Sequence, residues 1–295
     1  MPPSSHPAHD PGSGTIVRAP AKLNLNLRIT GRRDDGYHLL ESAVVFTAFG
    51  DVLTIWPTAD PDDDGDRLTV AGPFGSSLAS CGTDNLCLRA VRAFRGAAGG
   101  CAPVRIHLDK QIPTGAGLGG GSSNAAAILR YLNGRIATPL TEGRLAELAL
   151  SLGADVPVCL AGGAQHMTGI GETVVPIDPA PTGHVVLARP DVSLSTREVF
   201  ARLKPASTPE HSPPASDPGA AALVAGGNDL TAAAIEMAPS IATVLDALSA
   251  CAGNLAAQMS GSGSACFGLF RDAACAEAAA SRLTATGFWA VATRF

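Results

Sequence analysis

A glycine-rich segment, residues 113–126 (PTGAGLGGGSSNAA), is the part of this chain whose residue types point most directly to chemistry. Its five glycines are followed by two serines and an alanine-rich run without a helix breaker. Glycine permits positive φ and lets the backbone approach a ligand closely. The first N–H groups of a helix are unpaired donors at the positive end of its dipole, so they bind anions. The pattern predicts a loop that holds nucleotide phosphates, with Ser122 and Ser123 beside a phosphate or a bound Mg²⁺.

Other interpretations of this segment fit less well. Gly115, Gly117 and Gly120 satisfy the G-x-G-x-x-G spacing of a dinucleotide-binding oxidoreductase. That motif needs an acidic residue about 20 residues later at the tip of a second strand, but the nearest one, Glu142, begins a helical pattern instead. A Walker A loop needs a lysine after its glycines, and the sequence has none there. A merely flexible loop would rarely continue into a helix such as the one predicted over 123–132.

The N-terminal segment 17–29 carries a second group of polar residues. Apolar and polar residues alternate along it with period two, which predicts a half-buried strand. Lys22, Asn24 and Asn26 share its polar face. A lone lysine is more often a surface residue, but a lysine aligned with two amides suits a binding or catalytic site.

Asp155 is the acidic candidate, and its neighbours leave two roles open. A helix predicted over 142–152 stops at Gly153, a common residue just beyond a helix end. The following Asp155-Val156-Pro157 is typical of a helix start, with proline just inside it. Asp155 can therefore cap that helix, act on a ligand, or do both.

Composition bounds the class of protein and its partners. The formal charge of −5 and the pI near 5.8 argue against nucleic acid or an anionic membrane as the main partner. The sequence has no apolar run of about 18 residues and no signal-peptide pattern at its N-terminus. Seven cysteines without a C-x-x-C pair favour reduced thiols and a cytoplasmic location. We expect small-molecule ligands and no obligate protein partner.

Two apparent metal motifs fail on inspection. Residues 60–65 begin like a calcium loop, but the twelfth position is Ala71, where a bidentate glutamate is required. His6 and His9 have ligand-like spacing within a Pro- and Ser-rich segment, residues 1–14, which we predict to be a disordered tail. Neither motif is assigned as a metal site.

The rest of the pattern mixes strands and helices without strict βαβ alternation, which favours the α+β class. Residues 204–228, rich in Pro, Ala, Ser and Gly, are predicted to form a flexible surface excursion. The alternation and the capping signals predict strands over 104–108, 174–177, 185–188, 265–270 and 288–293, and helices over 86–94, 123–132, 142–152 and 272–283.

Three stretches together resemble the motifs of the GHMP kinases, the galactose, homoserine, mevalonate and phosphomevalonate kinases and their relatives. They are PAKLNLNLRITGRRDDGYH at 20–38, the glycine-rich segment, and SGSGSACF at 260–267. The resemblance covers residues 17–295 apart from the excursion. It implies a two-domain α+β fold with the active site in the cleft. The N-terminal domain (15–178) would bind ATP and resemble domain 2 of ribosomal protein S5, and the C-terminal domain (179–295) would be ferredoxin-like.

The resemblance also implies an activity. Gly-Tyr-His in the first motif and LGADVPV at 152–158 resemble the motifs of one group of these kinases. Members of that group use ATP and Mg²⁺ to phosphorylate a hydroxyl of cytidine-diphosphate-linked methylerythritol in non-mevalonate isoprenoid biosynthesis. The products would be the 2-phosphate and ADP. Asp155 matches the catalytic aspartate that accepts the hydroxyl proton, and Lys22 matches the lysine that orients it. No metal ligand is assigned directly, since Mg²⁺ is expected to arrive with ATP near Ser122.

Binding roles follow from the same resemblance. Tyr37, His38 and Phe200 would hold the cytosine, and Asn24 and Thr196 would touch polar parts of the substrate. Buried core packing remains the alternative for Tyr37. For ATP, the expected contacts are two residues near the base and the loop around the phosphates: Asn85, Lys110, Pro113, Thr114, Gly115, Ala116, Gly117, Leu118, Gly119, Gly120, Gly121, Ser122 and Ser123. A third motif would either back the phosphate loop or touch substrate: Gly261, Ser262 and Gly263.

Two alternative functions remain open at this point. A related GHMP-type kinase acting on another small alcohol would keep the loop and Asp155 but would have no use for Tyr37 and His38. A non-catalytic relative that binds a ligand for regulation would be expected to lose Lys22, Asp155 or the loop serines, and all of them are present.

Overall fold

The computed structural model describes residues 14–58, 65–78, 82–203 and 219–295. The predicted tail up to residue 13, with His6 and His9, lies outside these residues, as do 60–64 of the calcium-like turn and 204–218 of the excursion. Within the described residues, no helix is long and apolar enough to span a membrane. The strands form two sheets, and each sheet is covered by its own helices. A shared apolar layer joins the two sheets.

The first sheet is built around one long strand. Its strands are β1 (Thr15–Asn24), β2 (Arg28–Arg32), β3 (His38–Pro57), β4 (Arg67–Ala71), β5 (Val104–Asp109), β6 (Gln165–Gly169) and β7 (Thr173–Pro176). The first half of β3 pairs with β2 and β6, and its second half pairs with β1 and β5, all antiparallel. β4 runs parallel to β5 at one edge. One strand thus fixes the positions of both N-terminal motif strands.

Four helices belong to this half of the chain: α1 (Leu86–Ala98), α2 (Gly120–Asn133), α3 (Glu142–Leu152) and α4 (Val156–Ala161). Their apolar faces bury Phe94, Leu129 and Leu145 against the sheet in one core. The predicted helices over 86–94, 123–132 and 142–152 all appear, and the third has the predicted ends.

The second sheet has the strand order β11-β8-β10-β9, and all its neighbouring strands are antiparallel. Its strands are β8 (His184–Arg189), β9 (Asn254–Met259), β10 (Cys266–Phe270) and β11 (Trp289–Arg294). The helices are α5 (Thr196–Ala201), α6 (Ala220–Ala225), α7 (Thr231–Met237), α8 (Ser240–Ser249) and α9 (Ala273–Ala285). Strand, helices, two strands, helix and strand in this order form the split βαβ arrangement of the ferredoxin-like fold. The predicted fold class is confirmed.

The prediction of one half-buried strand over 17–29 is wrong in two respects. The chain leaves the sheet after Asn24, and a new strand starts at Arg28. The polar face is also covered, because Lys22 is 2% exposed and Asn24 is 1% exposed. The glycine-rich segment and the third motif pack over that face, through contacts that are remote in sequence.

The predicted excursion is wrong for its last part. Residues 220–225 form α6, and Leu223 and Val224 are buried in the apolar layer between the two sheets. The Ala- and Gly-rich composition of this segment hides a short amphipathic helix. Strands β4, β6 and β9 were not predicted from the sequence; they are only five or six residues long.

Candidate active site

The glycine-rich segment lies between the two sheets, with its carbonyl groups turned inward. The carbonyl of Leu118 accepts a hydrogen bond from Lys22 N at 2.9 Å, and that of Ala116 accepts one from Ala265 N at 3.0 Å. The carbonyl of Gly117 accepts from the Ser260 hydroxyl at 3.2 Å. The backbone N–H groups of 115–122 have no hydrogen-bond partner among the described residues. Unpaired donors in a row before a helix of 14 residues form an anion-binding surface.

Positive φ angles produce this arrangement. Gly115, Gly117 and Gly119 have φ of +61°, +73° and +63°, a region that side chains oppose. Gly119 is the N-cap of α2, which therefore begins three residues before the predicted start at Ser123. Ser122 is partly exposed beside the cavity described below, but Ser123 is 1% exposed. Ser122 is therefore the loop serine with an accessible hydroxyl.

Lys22 and Asp155 form an ion pair, with 3.1 Å between Lys22 Nζ and Asp155 Oδ2. The lysine side chain is 3% exposed and the aspartate side chain 40% exposed, so the carboxylate lies at the surface of the cleft. Asp155 is the N-cap residue of α4 by position, but among the described residues its side chain makes no capping hydrogen bond. The carboxylate of Asp155 therefore does not cap α4, and it is available for a ligand.

The helix that carries Asp155 is held in place by the helix that follows the glycine loop. Arg130 on α2 donates from Nη1 to the carbonyls of Cys159 and Leu160, at 2.9 and 2.8 Å. Burial raises the pKa of the Cys159 thiol to about 12, so the thiol is neutral beside this ion pair. These contacts fix the distance between the aspartate and the anion-binding surface.

Asn24 supports Lys22 and does not line the cavity. Its Oδ1 accepts from Lys22 Nζ at 2.7 Å, and its Nδ2 donates to the Ser42 hydroxyl at 2.7 Å. Its backbone N–H donates to Ser260 Oγ at 3.2 Å, and that same hydroxyl donates to Gly117 O. Because both ends of its amide are bonded within the protein, Asn24 holds Lys22 in position, and its contact with substrate stays a prediction.

A cavity of about 660 Å³ opens beside the ion pair and collects the other predicted substrate residues: Tyr37, His38, Thr196 and Phe200, together with Ser122 and Asp155. The rings of His38 and Phe200 lie 5.2 Å apart between centroids, at 34°. Tyr37 is 62% exposed, which rules out the core-packing alternative for this residue. The lining of the cavity therefore combines aromatic rings with a carboxylate and a hydroxyl.

Burial, followed by the nearby charge of Arg32, lowers the pKa of His38. The imidazole is therefore neutral at pH 7 and offers one donor and one acceptor nitrogen. A neutral ring of this kind can pair with the edge of a base but cannot neutralise a phosphate.

Two residues predicted near the ATP base differ in their positions. Asn85 caps α1, accepting from Cys87 N at 2.9 Å, and also lines a separate cavity of about 430 Å³ with Leu68 and Leu88. Lys110 is buried and donates to Asp51 Oδ2 at 2.6 Å, so its ammonium group is bonded within the protein, and its contact with a base stays a prediction. This pair stabilises the start of the loop, since Asp51 Oδ1 also accepts from the backbone N–H groups of 111–112.

The third motif touches both parts of the site. A Cβ built on Gly261 would lie 3.2 Å from Asn24 Oδ1 and 3.2 Å from Gly117 O, so Gly261 backs the phosphate loop. Gly263 packs beside Gly117 in the same way. The Ser262 hydroxyl forms a hydrogen bond of 2.8 Å with Thr196 Oγ1 at the rim of the larger cavity. The two roles proposed for this motif are compatible.

Sequence analysis missed several residues of the site. Ser260 lies inside the third motif but carried no assigned role, and Arg32, Asp35 and Arg197 line the larger cavity. Asn228 supports the third motif by donating to the carbonyls of 259 and 261, both at 2.8 Å. Arg32 and Asp35 lie within five residues of Tyr37 in the same charged segment, so their place near the cavity could have been predicted from the sequence. Nothing in the local pattern marks Arg197.

Comparisons with known proteins agree with this geometry. The family models described as the GHMP kinases N terminal domain and the GHMP kinases C terminal match residues 85–163 and 215–288. The chain is 46% identical over 282 residues to the 4-diphosphocytidyl-2-C-methyl-D-erythritol kinase of Paracoccus denitrificans (strain Pd 1222), covering 93% of this chain and 94% of that protein.

Solved structures give the same result. A crystal structure of a 4-(cytidine 5'-diphospho)-2C-methyl-D-erythritol kinase matches with a TM-score of 0.78 and 34% identity, over 95% of this chain and 98% of that one. The mevalonate kinase of Methanococcus jannaschii shares the fold, with a TM-score of 0.66 at 12% identity, over 96% of this chain and 99% of that one. The chain therefore belongs to the GHMP kinases and, within them, to the 4-diphosphocytidyl-2-C-methyl-D-erythritol kinase family.

Proposed function

We propose that this protein transfers the γ-phosphoryl group of ATP to a hydroxyl of 4-diphosphocytidyl-2-C-methyl-D-erythritol, giving the 2-phosphate and ADP. The named relatives support this substrate. The observation that carries the proposal is the single cavity that joins an aromatic wall to an ion-paired aspartate beside an anion-binding loop. A substrate that joins a cytosine base to a polyol needs a site with both aromatic rings and a carboxylate that can accept the hydroxyl proton.

In the proposed reaction, the substrate oxygen attacks the γ-phosphorus while the bond from that phosphorus to the ADP oxygen breaks. The hydroxyl proton passes to the carboxylate of Asp155, which is accessible from the cavity. Lys22 holds that carboxylate from the buried side and is itself held by Asn24. Positioning and charge stabilisation supply most of the catalysis of phosphoryl transfer, so this rigid support is the main contribution of the residues around Asp155.

We propose that the ATP phosphates bind the unpaired N–H groups of 115–122 and that the base enters the smaller cavity at Asn85. No group of three or more His, Cys, Asp or Glu in the described part of the chain is placed to hold a metal ion. Mg²⁺ therefore fits as an ion carried by the phosphates, with the Ser122 hydroxyl as an oxygen ligand of the kind it prefers. When bound, it would neutralise charge on the phosphate oxygens.

Two further assignments belong to this proposal. We place the domain boundary between residues 178 and 179, because the first sheet ends at Pro176 and the second begins at His184. We also propose a cytoplasmic location, which the free thiols of the described cysteines support.

A coupled assay of ADP release tests the function. ATP turnover is expected with 4-diphosphocytidyl-2-C-methyl-D-erythritol, and little is expected with uncytidylated methylerythritol phosphate, homoserine or mevalonate. Equal turnover with any of these small alcohols would overturn the substrate assignment and favour another GHMP-type kinase. Absence of turnover with all of them, in a protein that binds ATP, would favour a non-catalytic relative.

A further inference from the structure

Two arginines in the larger cavity have no role in the mechanism above. Arg32 ends β2 and lies opposite His38 in the strand register, so it is next to the aromatic wall. Arg197 lies on α5 between Thr196, which bonds the third motif, and Phe200, which contacts His38. Both line the same cavity as His38, Phe200 and Asp155.

Both guanidinium groups have unused donors. Arg32 donates from Nε to the carbonyl of Gly36 at 3.2 Å, which fixes the side chain against the turn and leaves its terminal nitrogens without a hydrogen-bond partner among the described residues. Arg197 makes no hydrogen bond or ion pair with any residue in the described ranges. By contrast, Arg33 in the same turn is paired with Asp35 at 2.8 Å. Guanidinium groups without partners in a cavity are suited to a planar anion such as a phosphate.

The charges of the cavity point to the same ligand. Its carboxylates are Asp35, already paired with Arg33, and Asp155, paired with Lys22. Among the described residues that line it, Arg32 and Arg197 therefore carry the positive charge that is not neutralised. A substrate that fills this cavity, with its base at the aromatic rings and its hydroxyl at Asp155, would have its linking group in the same space as both arginines.

We propose that Arg32 and Arg197 form a diphosphate subsite that makes this enzyme discriminate nucleoside diphosphate-linked substrates from those with one phosphate or none. The proposal rests on the proposed function, since it assigns the central part of that same substrate. Arg32 belongs to the end of β2 and Arg197 to α5, so the two domains each contribute one cation. Both are specificity residues, since neither contacts the reacting hydroxyl.

Equilibrium binding of CDP, CMP and cytidine, measured by calorimetry, tests the subsite without turnover. The variants are Arg32→Gln, Arg197→Gln and the double variant, and Arg202→Gln is the matched control, because Arg202 is an exposed arginine at the end of α5 that does not line the cavity. Each single change is expected to weaken CDP binding about tenfold to a hundredfold, the usual effect of losing a charge-assisted hydrogen bond. Cytidine affinity should change less than about twofold, because the base contacts remain.

Kinetics and rescue separate this role from a structural one. The KM for the nucleotide-linked substrate should rise in the variants, while kcat and the KM for ATP stay near wild type. Arg197→Lys should recover part of the CDP affinity, since it keeps the charge but loses the two-pronged geometry. The salt dependence of CDP binding should also weaken in the double variant.

The outcomes distinguish the two proposals. An unchanged ratio of CDP to cytidine affinity in both single variants, with turnover intact, overturns the subsite and leaves the proposed function standing. The subsite is also overturned if the wild-type protein binds CDP no more tightly than cytidine. Wild-type protein that binds neither compound and does not turn over the substrate overturns both.

Discussion

Replacing Asp155 with asparagine tests the central step of the mechanism, because the loss of its charge should affect proton transfer without affecting the fold. The side chain of Asp155 makes no capping bond to α4 among the described residues, so the helix should not depend on the charge. The amide keeps the shape and can still accept a hydrogen bond from Lys22, but it cannot take the hydroxyl proton. A general base contributes about 10²–10⁴ in rate, or about 3 to 5 kcal/mol of barrier, and kcat should fall by that factor.

The expected loss of stability is small by comparison. The carboxylate is 40% exposed, so water screens its ion pair with Lys22, and such pairs contribute about 0.2–1 kcal/mol. A loss of that size lowers the melting temperature of a protein of this length by at most about 4 °C. The measurements are steady-state kinetics, thermal unfolding by circular dichroism, and equilibrium binding of a non-hydrolysable ATP analogue, which should be nearly unchanged.

Asp246→Asn, on an exposed face of α8, is the matched control and should change none of these quantities. A loss of kcat below about tenfold in Asp155→Asn would mean that the aspartate is structural and not the proton acceptor. A large fall in melting temperature together with a large rise in the KM for ATP would show that the charge of Asp155 is needed for the fold. Lys22→Met should also lower kcat with a modest change in the KM for ATP; a change in the KM for ATP alone would make Lys22 a nucleotide ligand.

Three other predictions follow from the same contacts. Gly120→Val should destabilise the fold as well as abolish ATP binding, because a Cβ there would lie 2.8 Å from Lys110 Nζ and 3.0 Å from Ile112, and a stable variant with intact analogue binding would contradict this. Tyr37→Ala should weaken binding of the nucleotide-linked substrate by about 1–3 kcal/mol and so raise its KM. An unchanged KM would mean that Tyr37 does not bind the base. Because burial and the charge of Arg32 lower the pKa of His38 from its usual value of 6.5, any pH-dependent fall in cytidine affinity should have its midpoint below 6.5; a midpoint at 6.5 or above would contradict the assignment.

Gly119 and Gly120 allow the loop to pack closely onto two buried lysines. Gly119 has positive φ, and a Cβ there would meet Lys22 at 3.1 Å, while a Cβ on Gly120 would lie 2.8 Å from Lys110 Nζ. A side chain at either position would therefore clash with the protein itself, with or without a bound phosphate.

Local signals in the sequence predicted the glycine-rich loop before α2, the four longest helices (α1, α2, α3 and α9) and the α+β class. Glycine conformations, caps and apolar periodicity act within a few residues, so they can be recognised without knowing what lies nearby. For this reason the whole of α3 matches the prediction. The same local signals could not locate β4, β6 or β9, because strands of five or six residues are stabilised mainly by their partners.

Only the tertiary structure decided which polar residues are buried and which are exposed in the cleft. Asn24 and Asn26 look equivalent along the strand, yet Asn24 is buried by Ser260, 236 residues away in the chain. Lys110 is buried with its partner Asp51, whereas the side chain of Asp155, paired with buried Lys22, remains 40% exposed. The physical reason is that burial of a charge requires a partner, and partners that come from distant segments leave no trace in the local pattern of the sequence.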